Sequence, residues 1–314
     1  MKAIYVHEAG GVENLVHTQT EIPEPKTGEV LVKVKAISVN PVDVKARAYE
    51  GVLTWIFGDQ RPVILGWDIS GEIVSSGEDT DAFEIGDQVF AMANFLGHSK
   101  AYAEYVTVPA HQLALKPDNI SHEEAAAATL AALTAWQVLV TTANIQRGQK
   151  VLIHAGSGGV GHFAVQIAKH LGAYVIATSS AKNKDFVLGL GADEHIDYQT
   201  SDFSESLNDM DLVIDAIGGD VMLKSVAVVK ASGRIITLPG DIPTEAAEAA
   251  EKASVDLSFM LVESNGEDMK SIAQLLEQQT LKSHVSASFD FADMDKAHLQ
   301  VETGRTVGKV IVTT

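Results

Sequence analysis

The sequence of 314 residues contains no cysteine, only 8 prolines and no long apolar run. Without cysteine, disulfides, thiolate zinc sites, iron–sulfur clusters and cysteine nucleophiles are excluded. No stretch of about 18 consecutive apolar residues is present, so we expect no membrane-spanning helix. Residues 1–6 have the pattern of a strand and not of a cleaved signal peptide, and we therefore expect a cytoplasmic protein.

Basic residues are also scarce. Lysine and arginine together number 23 against 42 aspartates and glutamates, which gives a formal net charge of −19. Such a polyanion repels nucleic acids and anionic membranes, so we expect neither as a partner. A local basic pocket can still bind a phosphate, and the net charge therefore leaves a nucleotide cofactor open.

Composition and length predict a folded protein of two domains. Apolar residues make up 46% and charged residues 21% of the chain, which excludes intrinsic disorder. At about 150 residues per domain, the length predicts two domains. The first part of the chain is β-rich: short apolar or alternating runs separated by Gly and Pro occur at residues 30–36, 69–74, 87–92 and 102–108.

The pattern changes after Pro117. Ser121 and Glu124 form a capping box that opens an Ala-rich helix. Strands and helices then alternate, which predicts a doubly wound parallel sheet. The predicted strands are residues 151–155, 174–178, 195–197, 212–215 and 234–238, and the predicted helices are residues 161–171, 185–190 and 245–252. A helix at residues 269–278 and a strand at residues 309–312 end the chain.

A glycine-rich loop follows the first strand of this alternating region. Its residues are Gly156, Ser157, Gly158, Gly159, Val160 and Gly161, which fit G-x-G-x-x-G between a strand and a helix. That context is typical of a dinucleotide site, because bare backbone can approach a pyrophosphate at a helix N-terminus. The alternatives are a plain strand-to-helix turn and the methyl-donor site of a methyltransferase.

The end of the next strand bears on the choice of cofactor. An NAD site usually has an acidic residue there, about 20 residues beyond the glycines, to bind the ribose 2′-hydroxyl. Here the chain has hydroxyls and ammonium groups instead, at Ser179, Ser180, Lys182 and Lys184. These groups can bind a 2′-phosphate, which predicts NADPH over NADH. Tyr198 is a further candidate contact, and an ordinary solvated helix start is the alternative.

Several motifs together resemble the medium-chain dehydrogenase/reductase superfamily, in its zinc-free quinone oxidoreductase and alkenal/enone reductase branch. They are the glycine-rich loop and residues 66–71 (GWDISG), 86–89 (GDQV), 190–193 (LGAD), 196–198 (IDY) and 304–309 (GRTVGK). The resemblance implies a GroES-like, β-rich substrate domain at residues 1–118 and 264–314. It also implies a Rossmann NADP-binding domain at residues 119–263, with the active site in the cleft between the two.

The chain departs from the zinc-dependent branch of that superfamily. That branch carries Gly-His-Glu where this chain has Gly66-Trp67-Asp68, and a cysteine ligand at or near Asn40. Trp67 cannot ligate zinc and no thiolate is available, so we expect no metal. Alcohol oxidation, which uses zinc to polarise the alkoxide, is correspondingly disfavoured.

The resemblance also implies site residues. Asn40 would donate a hydrogen bond to a substrate carbonyl or to the cofactor amide, and Asp43 and Lys45 follow it as further catalytic candidates. A helix cap and a surface charge are the alternatives for these two. The resemblance adds Thr134 and Lys309 as cofactor contacts; a hydroxyl bonded to its own helix and a surface lysine are the alternatives. Gly218, Gly219 and Pro239 follow the fourth and fifth predicted strands, at the carboxyl edge where nucleotides bind, and are further cofactor candidates.

Four aromatic residues are candidates for a substrate pocket. Tyr49, Trp55 and Phe57 form what the sequence suggests is a loop that could cover flat, apolar substrates. Trp67 would fill the position of the absent zinc ligand. Ordinary core packing is the alternative for Tyr49, Trp55 and Phe57.

These features predict an NADPH-dependent reductase of quinones or α,β-unsaturated carbonyls, whose conjugation spreads the charge that hydride transfer creates. A carbonyl reductase ranks lower, and an NADPH-binding structural or regulatory protein without turnover is the alternative from another class. The apolar residues 255–262 suggest an edge strand that would pair with a second copy in a homodimer.

Overall fold

The computed structural model describes residues 1–314, which form 16 strands. The strands are β1 (Lys2–Val6), β2 (Val16–Gln19), β3 (Glu29–Val39), β4 (Val63–Ile64), β5 (Asp68–Ser76), β6 (Gln88–Met92), β7 (Tyr105–Pro109), β8 (Ala114–Leu115), β9 (Lys150–Ile153), β10 (Tyr174–Ser179), β11 (Glu194–Asp197), β12 (Met210–Asp215), β13 (Val229–Thr237), β14 (Asp256–Phe259), β15 (Val285–Asp290) and β16 (Lys309–Thr313).

The chain also forms 11 α-helices. They are α1 (Pro41–Ala48), α2 (Glu50–Phe57), α3 (His122–Ala127), α4 (Leu130–Trp136), α5 (Gly161–His170), α6 (Lys184–Gly189), α7 (Phe203–Ser206), α8 (Asp220–Val226), α9 (Thr244–Ala253), α10 (Gly266–Glu277) and α11 (Met294–Glu302). The longest, α10, has 12 residues, and no helix combines the length and apolar character that crossing a membrane requires.

The chain divides into two compact units, and the first comprises Met1–Leu133 and Glu263–Thr314. Its main sheet runs in the order β15-β16-β3-β5-β6-β8, with β7 also paired to β3. β3 alternates between the two sheet faces as its sequence predicts, and its central position gives it neighbours on both edges. A smaller sheet has the order β2-β1-β4. This is the predicted β-rich unit.

The second unit, Thr134–Val262, contains a six-stranded sheet in the order β11-β10-β9-β12-β13-β14. All five pairings are parallel. The strand order reverses direction between β9 and β12, which is the doubly wound arrangement that the alternating sequence predicts. In such a sheet, ligands bind outside the carboxyl ends of the strands at this reversal, where the glycine-rich loop begins.

The structure moves one predicted domain boundary. The first unit extends to Leu133 rather than ending at residue 118. The reason is that the predicted capping box does form at Ser121 and Glu124, but α3 packs on the main β-sheet. The His122 ring bonds Ser70 Oγ at 2.7 Å and Gln88 Oε1 at 2.9 Å, which fixes the helix to β5 and β6. The second boundary, at 262/263, lies within one residue of the predicted one.

Candidate active site and cofactor site

The glycine-rich loop joins β9 to α5 and is shaped by close backbone contacts. A Cβ on Gly161 would lie 2.1 Å from the Ala155 carbonyl oxygen, and a Cβ on Gly156 would lie 2.7 Å from Cβ of Ala177. Ala155 has a φ of 54°, so the chain turns sharply where the strand ends. These positions therefore accept only glycine, and the start of α5 lies directly against the strand ends.

The loop also presents a helix start to a ligand. The first amides of any helix lack intrahelical acceptors and carry partial positive charge, which favours a pyrophosphate. Ser157 is nearly buried, and its Oγ accepts a hydrogen bond of 3.0 Å from Asn183 Nδ2. This contact ties the glycine-rich loop to the segment after β10, where the 2′-phosphate contacts are predicted.

That segment carries the predicted basic and hydroxyl groups. Ser179 ends β10, Ser180 precedes a 3₁₀ turn (Ala181–Asn183), and α6 begins at Lys184. Lys182, Lys184 and Tyr198 are all exposed and hence open to a ligand. Their cofactor role stays a prediction, and the arrangement fits a phosphate because ammonium and hydroxyl groups donate to its oxygens.

His195 is a residue of this region that the sequence reasoning missed. Its Nε2 lies 2.8 Å from Ser179 Oγ, across the parallel pairing of β10 and β11. Burial, and then the nearby Lys184, lower the pKa of His195. The signal was available, because the third predicted strand begins with this histidine and adjacent strands in such a sheet are neighbours.

The loop after β12 is held by a buried carboxylate. Asp215 Oδ1 accepts hydrogen bonds from the amides of Ile217 at 2.8 Å and Gly218 at 3.0 Å. Gly218 and Gly219 have φ values of 81° and 57°, a conformation that favours glycine. A Cβ on Gly218 would lie 3.4 Å from Cβ of Pro239, so these predicted cofactor residues lie close together at one sheet edge. Thr134 is buried on α4.

Two of the predicted residues of the first unit, Asn40 and Lys309, meet Asp68 in a buried polar network. Asp68 was missed as a site residue, although it lies in the GWDISG motif. Asn40, Asp68 and Lys309 are each at most 3% exposed. Lys309 Nζ donates to Asn40 Oδ1, while Asn40 Nδ2 donates to Asp68 Oδ2 at 2.8 Å. Asp68 Oδ1 accepts from the Leu130 amide at 3.0 Å. The amide group of Asn40 thus links an ammonium to a carboxylate, and both its ends are engaged within the protein.

Asp43 joins this network from the first turn of α1. Its Oδ2 accepts a 2.7 Å hydrogen bond from the backbone N–H of Asn40, whereas its fully buried Oδ1 has no hydrogen-bond partner. Burial raises the pKa of Asp43 to about 7, and the neighbouring Asp68 adds to the rise. Burial also raises the pKa of Asp68 and lowers that of Lys309. Each shift favours the uncharged form.

A second pair of buried groups lies beside Asp43 and was missed from the sequence. Tyr102 and His298 are fully buried, and the Tyr102 hydroxyl lies 2.9 Å from His298 Nε2. Burial, and then the Asp43 carboxylate, hold the pKa of Tyr102 well above its usual range. Burial lowers the pKa of His298 to about 3. Both side chains are therefore neutral at pH 7.

Lys45 does not join these groups, although the sequence placed it with Asn40 and Asp43. It is exposed on α1, on the side of the helix away from the buried Asp43. Residues two apart on a helix do not face each other, which is why a shared short stretch did not imply a shared site. A catalytic role for Lys45 stays a prediction.

The aromatic segment is not a loop as predicted but consists of the start and body of α2. Tyr49 and Trp55 are 62% and 63% exposed, and Phe57 is buried. Trp67 is also buried: its ring stacks on Phe57 at 6.1 Å, and its Nε1 donates to the Gly97 carbonyl at 2.9 Å. The two buried rings pack as core residues, so the exposed pair alone presents a surface to a ligand.

No group of three or more His, Asp or Glu side chains is arranged to hold a metal ion. Zinc independence stays a prediction that metal analysis can test.

Two family models match the chain. Residues 26–118 match the alcohol dehydrogenase GroES-like domain, and residues 190–312 match the zinc-binding dehydrogenase model. The chain is 33% identical to the quinone-oxidoreductase homolog of chloroplasts from Spinacia oleracea, over 98% of this chain and 96% of that protein. It is also 33% identical to the chloroplastic NADPH-dependent alkenal/one oxidoreductase of Arabidopsis thaliana, over 99% of this chain and 79% of that protein.

Solved structures of quinone oxidoreductases have the same fold as this chain over its full length. The quinone oxidoreductase from Coxiella burnetii is 35% identical, with a TM-score of 0.94 over 100% of this chain and 99% of that one. The Escherichia coli quinone oxidoreductase complexed with NADPH is 25% identical, with a TM-score of 0.89 over the full length of both chains. Because it shares 33% identity with each of the two chloroplastic relatives over nearly its full length, and the fold of a quinone oxidoreductase, the chain belongs to the medium-chain dehydrogenase/reductase superfamily, in the branch of the quinone and alkenal/one oxidoreductases.

Proposed function

We propose that the protein reduces quinones or α,β-unsaturated carbonyl compounds with NADPH and without zinc. The cofactor assignment is carried by the close approach of Gly161 to the Ala155 backbone, together with hydroxyl and ammonium groups at the end of β10. The substrate class is supported by the similarity to quinone and alkenal/one oxidoreductases. The similarity to an alkenal/one oxidoreductase named as NADPH-dependent supports the same chemistry. A cytoplasmic location stays a prediction, since that relative is named as chloroplastic.

The residues of the second unit fit the two charged parts of NADPH. Gly156, Gly158 and Gly161 leave the backbone bare where the pyrophosphate would bind, at the start of α5. Ser179, Ser180, Lys182, Lys184 and Tyr198 would hold the 2′-phosphate. When bound, the nicotinamide supplies a hydride to an electrophilic carbon.

The first unit supplies the polar groups proposed to act on the substrate. The network keeps Lys309 as a buried hydrogen-bond donor, held by Asn40 and balanced by Asp68. Preorganised donors of this kind favour charge that develops on a substrate oxygen. Asp43, with a pKa raised to about 7 by burial, can hold or release a proton near neutral pH. Asp43 and Lys309 are therefore the catalytic candidates that the network favours, and Asn40 is the residue that positions Lys309.

The proposal is tested by following NADPH oxidation with a panel of quinones, enones, saturated ketones and alcohols. We expect turnover of quinones or enones, a preference for NADPH over NADH, and no loss of rate with a zinc chelator. Tight NADPH binding without oxidation across the panel would favour the non-enzymatic binding protein. Alcohol oxidation abolished by the chelator would contradict the proposed zinc independence.

We also propose that the protein forms a homodimer through β14. This strand ends the six-stranded sheet and pairs on one side only, with β13. Phe259 and Leu261 are 42% and 41% exposed at this edge. An unpaired apolar edge is stabilised by pairing with a second copy across a two-fold axis.

Sedimentation velocity tests this assembly. We expect a dimer for the wild type and a shift to monomer for Leu261→Lys, which would place like charges opposite each other. The matched control is Leu299→Lys, at a 48% exposed leucine on α11 in the first unit. A monomeric wild type, or equal behaviour of both variants, would count against pairing through β14.

A further inference from the structure

His195 occupies a position from which it can control the hydroxyl of Ser179. The distance from His195 Nε2 to Ser179 Oγ is 2.8 Å, and Ser179 itself is only 2% exposed. The same hydroxyl lies 3.3 Å from the carbonyl oxygen of Ser180. Because β10 and β11 are parallel neighbours, with Ala177 opposite His195, the contact is fixed by the sheet and not by a mobile loop.

The direction of this hydrogen bond decides what Ser179 offers to a ligand. A serine hydroxyl has one proton and two acceptor lone pairs. If Ser179 donates to an unprotonated Nε2, only its lone pairs remain for the ligand, and these repel a phosphate. If His195 donates its Nε2–H instead, the serine proton is free to bond a phosphate oxygen. A dianionic ligand therefore favours a proton on Nε2, and its negative charge favours the imidazolium over the neutral Nε2–H tautomer.

The charged groups around His195 are of both signs. Lys184, on α6, lowers its pKa and Asp197, on β11, raises it, while burial has the largest effect. The Asp197 carboxylate is itself engaged, by the Gln199 amide at 3.1 Å and the Thr200 hydroxyl at 3.0 Å. Lys182 and Tyr198 are exposed in the same region. In the free protein the His195 imidazole is therefore neutral at pH 7. A bound phosphate would add its negative charge to that of Asp197 and favour protonation of the ring.

We propose that His195 is a specificity-determining residue that orients the Ser179 hydroxyl toward the 2′-phosphate of NADPH and takes up a proton when that phosphate binds. This inference rests on the proposed NADPH dependence. A cofactor with a bare 2′-hydroxyl makes no such demand, because a ribose hydroxyl can either donate or accept. His195 therefore contributes to the preference between the two cofactors and not to binding of the dinucleotide as such.

Dissociation constants for NADPH and NADH, measured by isothermal titration calorimetry at pH 7, test the preference. Because His195→Ala removes support for a hydrogen bond to a charged group, we expect the preference for NADPH, given by the Kd for NADH divided by the Kd for NADPH, to fall about tenfold. His195→Gln places an amide donor near the Nε2 position and should keep most of the ratio. The matched control is His170→Asn, an exposed histidine at the last position of α5, which should leave the ratio unchanged.

Proton uptake gives a second readout, from titrations in buffers of different ionisation enthalpy. The 2′-phosphate has a second pKa of about 6, so at pH 7 it is mostly a dianion and contributes little exchange. We expect uptake with NADPH but not NADH in the wild type, and none in either His195 variant. In a double-mutant cycle, Ser179→Ala and His195→Ala should be non-additive, because one acts through the other.

The outcomes separate the two proposals. Failure of the wild-type protein to bind NADPH would overturn the proposed function. Binding of NADPH with its normal preference over NADH in His195→Ala, and with unchanged proton uptake, would overturn the role of His195 alone. Loss of both cofactors equally in His195→Ala, in a variant with unchanged circular dichroism and melting temperature, would also overturn it.

Discussion

Replacing Gly161 with alanine is expected to lower kcat/KM for NADPH by roughly 100-fold, because the start of α5 must move away from the end of β9. The added Cβ would lie 2.1 Å from the Ala155 carbonyl oxygen and 2.8 Å from its carbonyl carbon. Both are backbone atoms, so no side-chain rotation can relieve the contact. Overpacking of this kind also costs about 1–3 kcal/mol of stability, which urea unfolding would detect.

Gly189→Ala is the matched control for this variant. Gly189 lies at the end of α6 in the same unit, and a Cβ there meets nothing within 4 Å. Alanine is favoured over glycine in a helix by about 0.5–1 kcal/mol, so the control should be as stable as the wild type or slightly more so, with unchanged NADPH affinity. Normal cofactor binding by Gly161→Ala would contradict the steric argument.

The cofactor unit could be predicted closely because its signals are local. The strand and helix at residues 150–170 follow from an apolar run, a glycine-rich turn and helical spacing, which all lie in one short continuous segment. The absence of an acid after β10 could also be read directly, and with it the placement of Ser179 and Lys182. The predicted strands already place His195 on a neighbour of β10, but which of that neighbour's side chains faces Ser179 is fixed only by the sheet register.

The buried network of the first unit could not be predicted in the same way. Lys309 and Asn40 are 269 positions apart in the sequence, and they meet because β16 pairs antiparallel with β3, with Val310 opposite Val39. Non-local strand pairing leaves no periodic signal in either segment. The resemblance placed both residues at the site by motif, but not the contact between them, nor the engagement of the Asn40 amide by Asp68.

The helix α2 shows where local reasoning failed outright. A loop is the prediction for Tyr49, Trp55 and Phe57, in a segment whose aromatic and β-branched residues have a lower helix propensity than leucine. The structure forms a helix there, and its buried Leu53 and Phe57, four residues apart, show why: one face packs into the core. Tertiary burial outweighed the weak intrinsic propensity.

Replacing Asp43 with asparagine is expected to flatten the dependence of stability on pH. The carboxyl pKa rises from 3.8, its ordinary value, to about 7 in the folded protein, mainly through burial. The folded state therefore binds more protons than the unfolded state between these values, and stability falls as the pH rises through them, by about 4 kcal/mol in all. Below pH 3.8 both states are protonated, and above pH 7 the full cost of the buried charge is present. Asparagine at position 43 keeps an oxygen that can accept the hydrogen bond from the backbone N–H of Asn40, but it cannot ionise.

Urea unfolding between pH 5.5 and 8 checks this expectation and avoids the sequence pI of about 4.9, where the protein would associate. Across that window the wild type should lose about 2 kcal/mol more than Asp43→Asn. Asp68 and Lys309, whose pKa values are also shifted by burial, remain in both proteins, so the difference reports the ionisation of Asp43 together with its electrostatic coupling to these two groups. Asp59→Asn, at an exposed position after α2, should keep the wild-type slope. Equal slopes for Asp43→Asn and the wild type would mean that Asp43 is already ionised in the folded protein, with Lys309 compensating its charge.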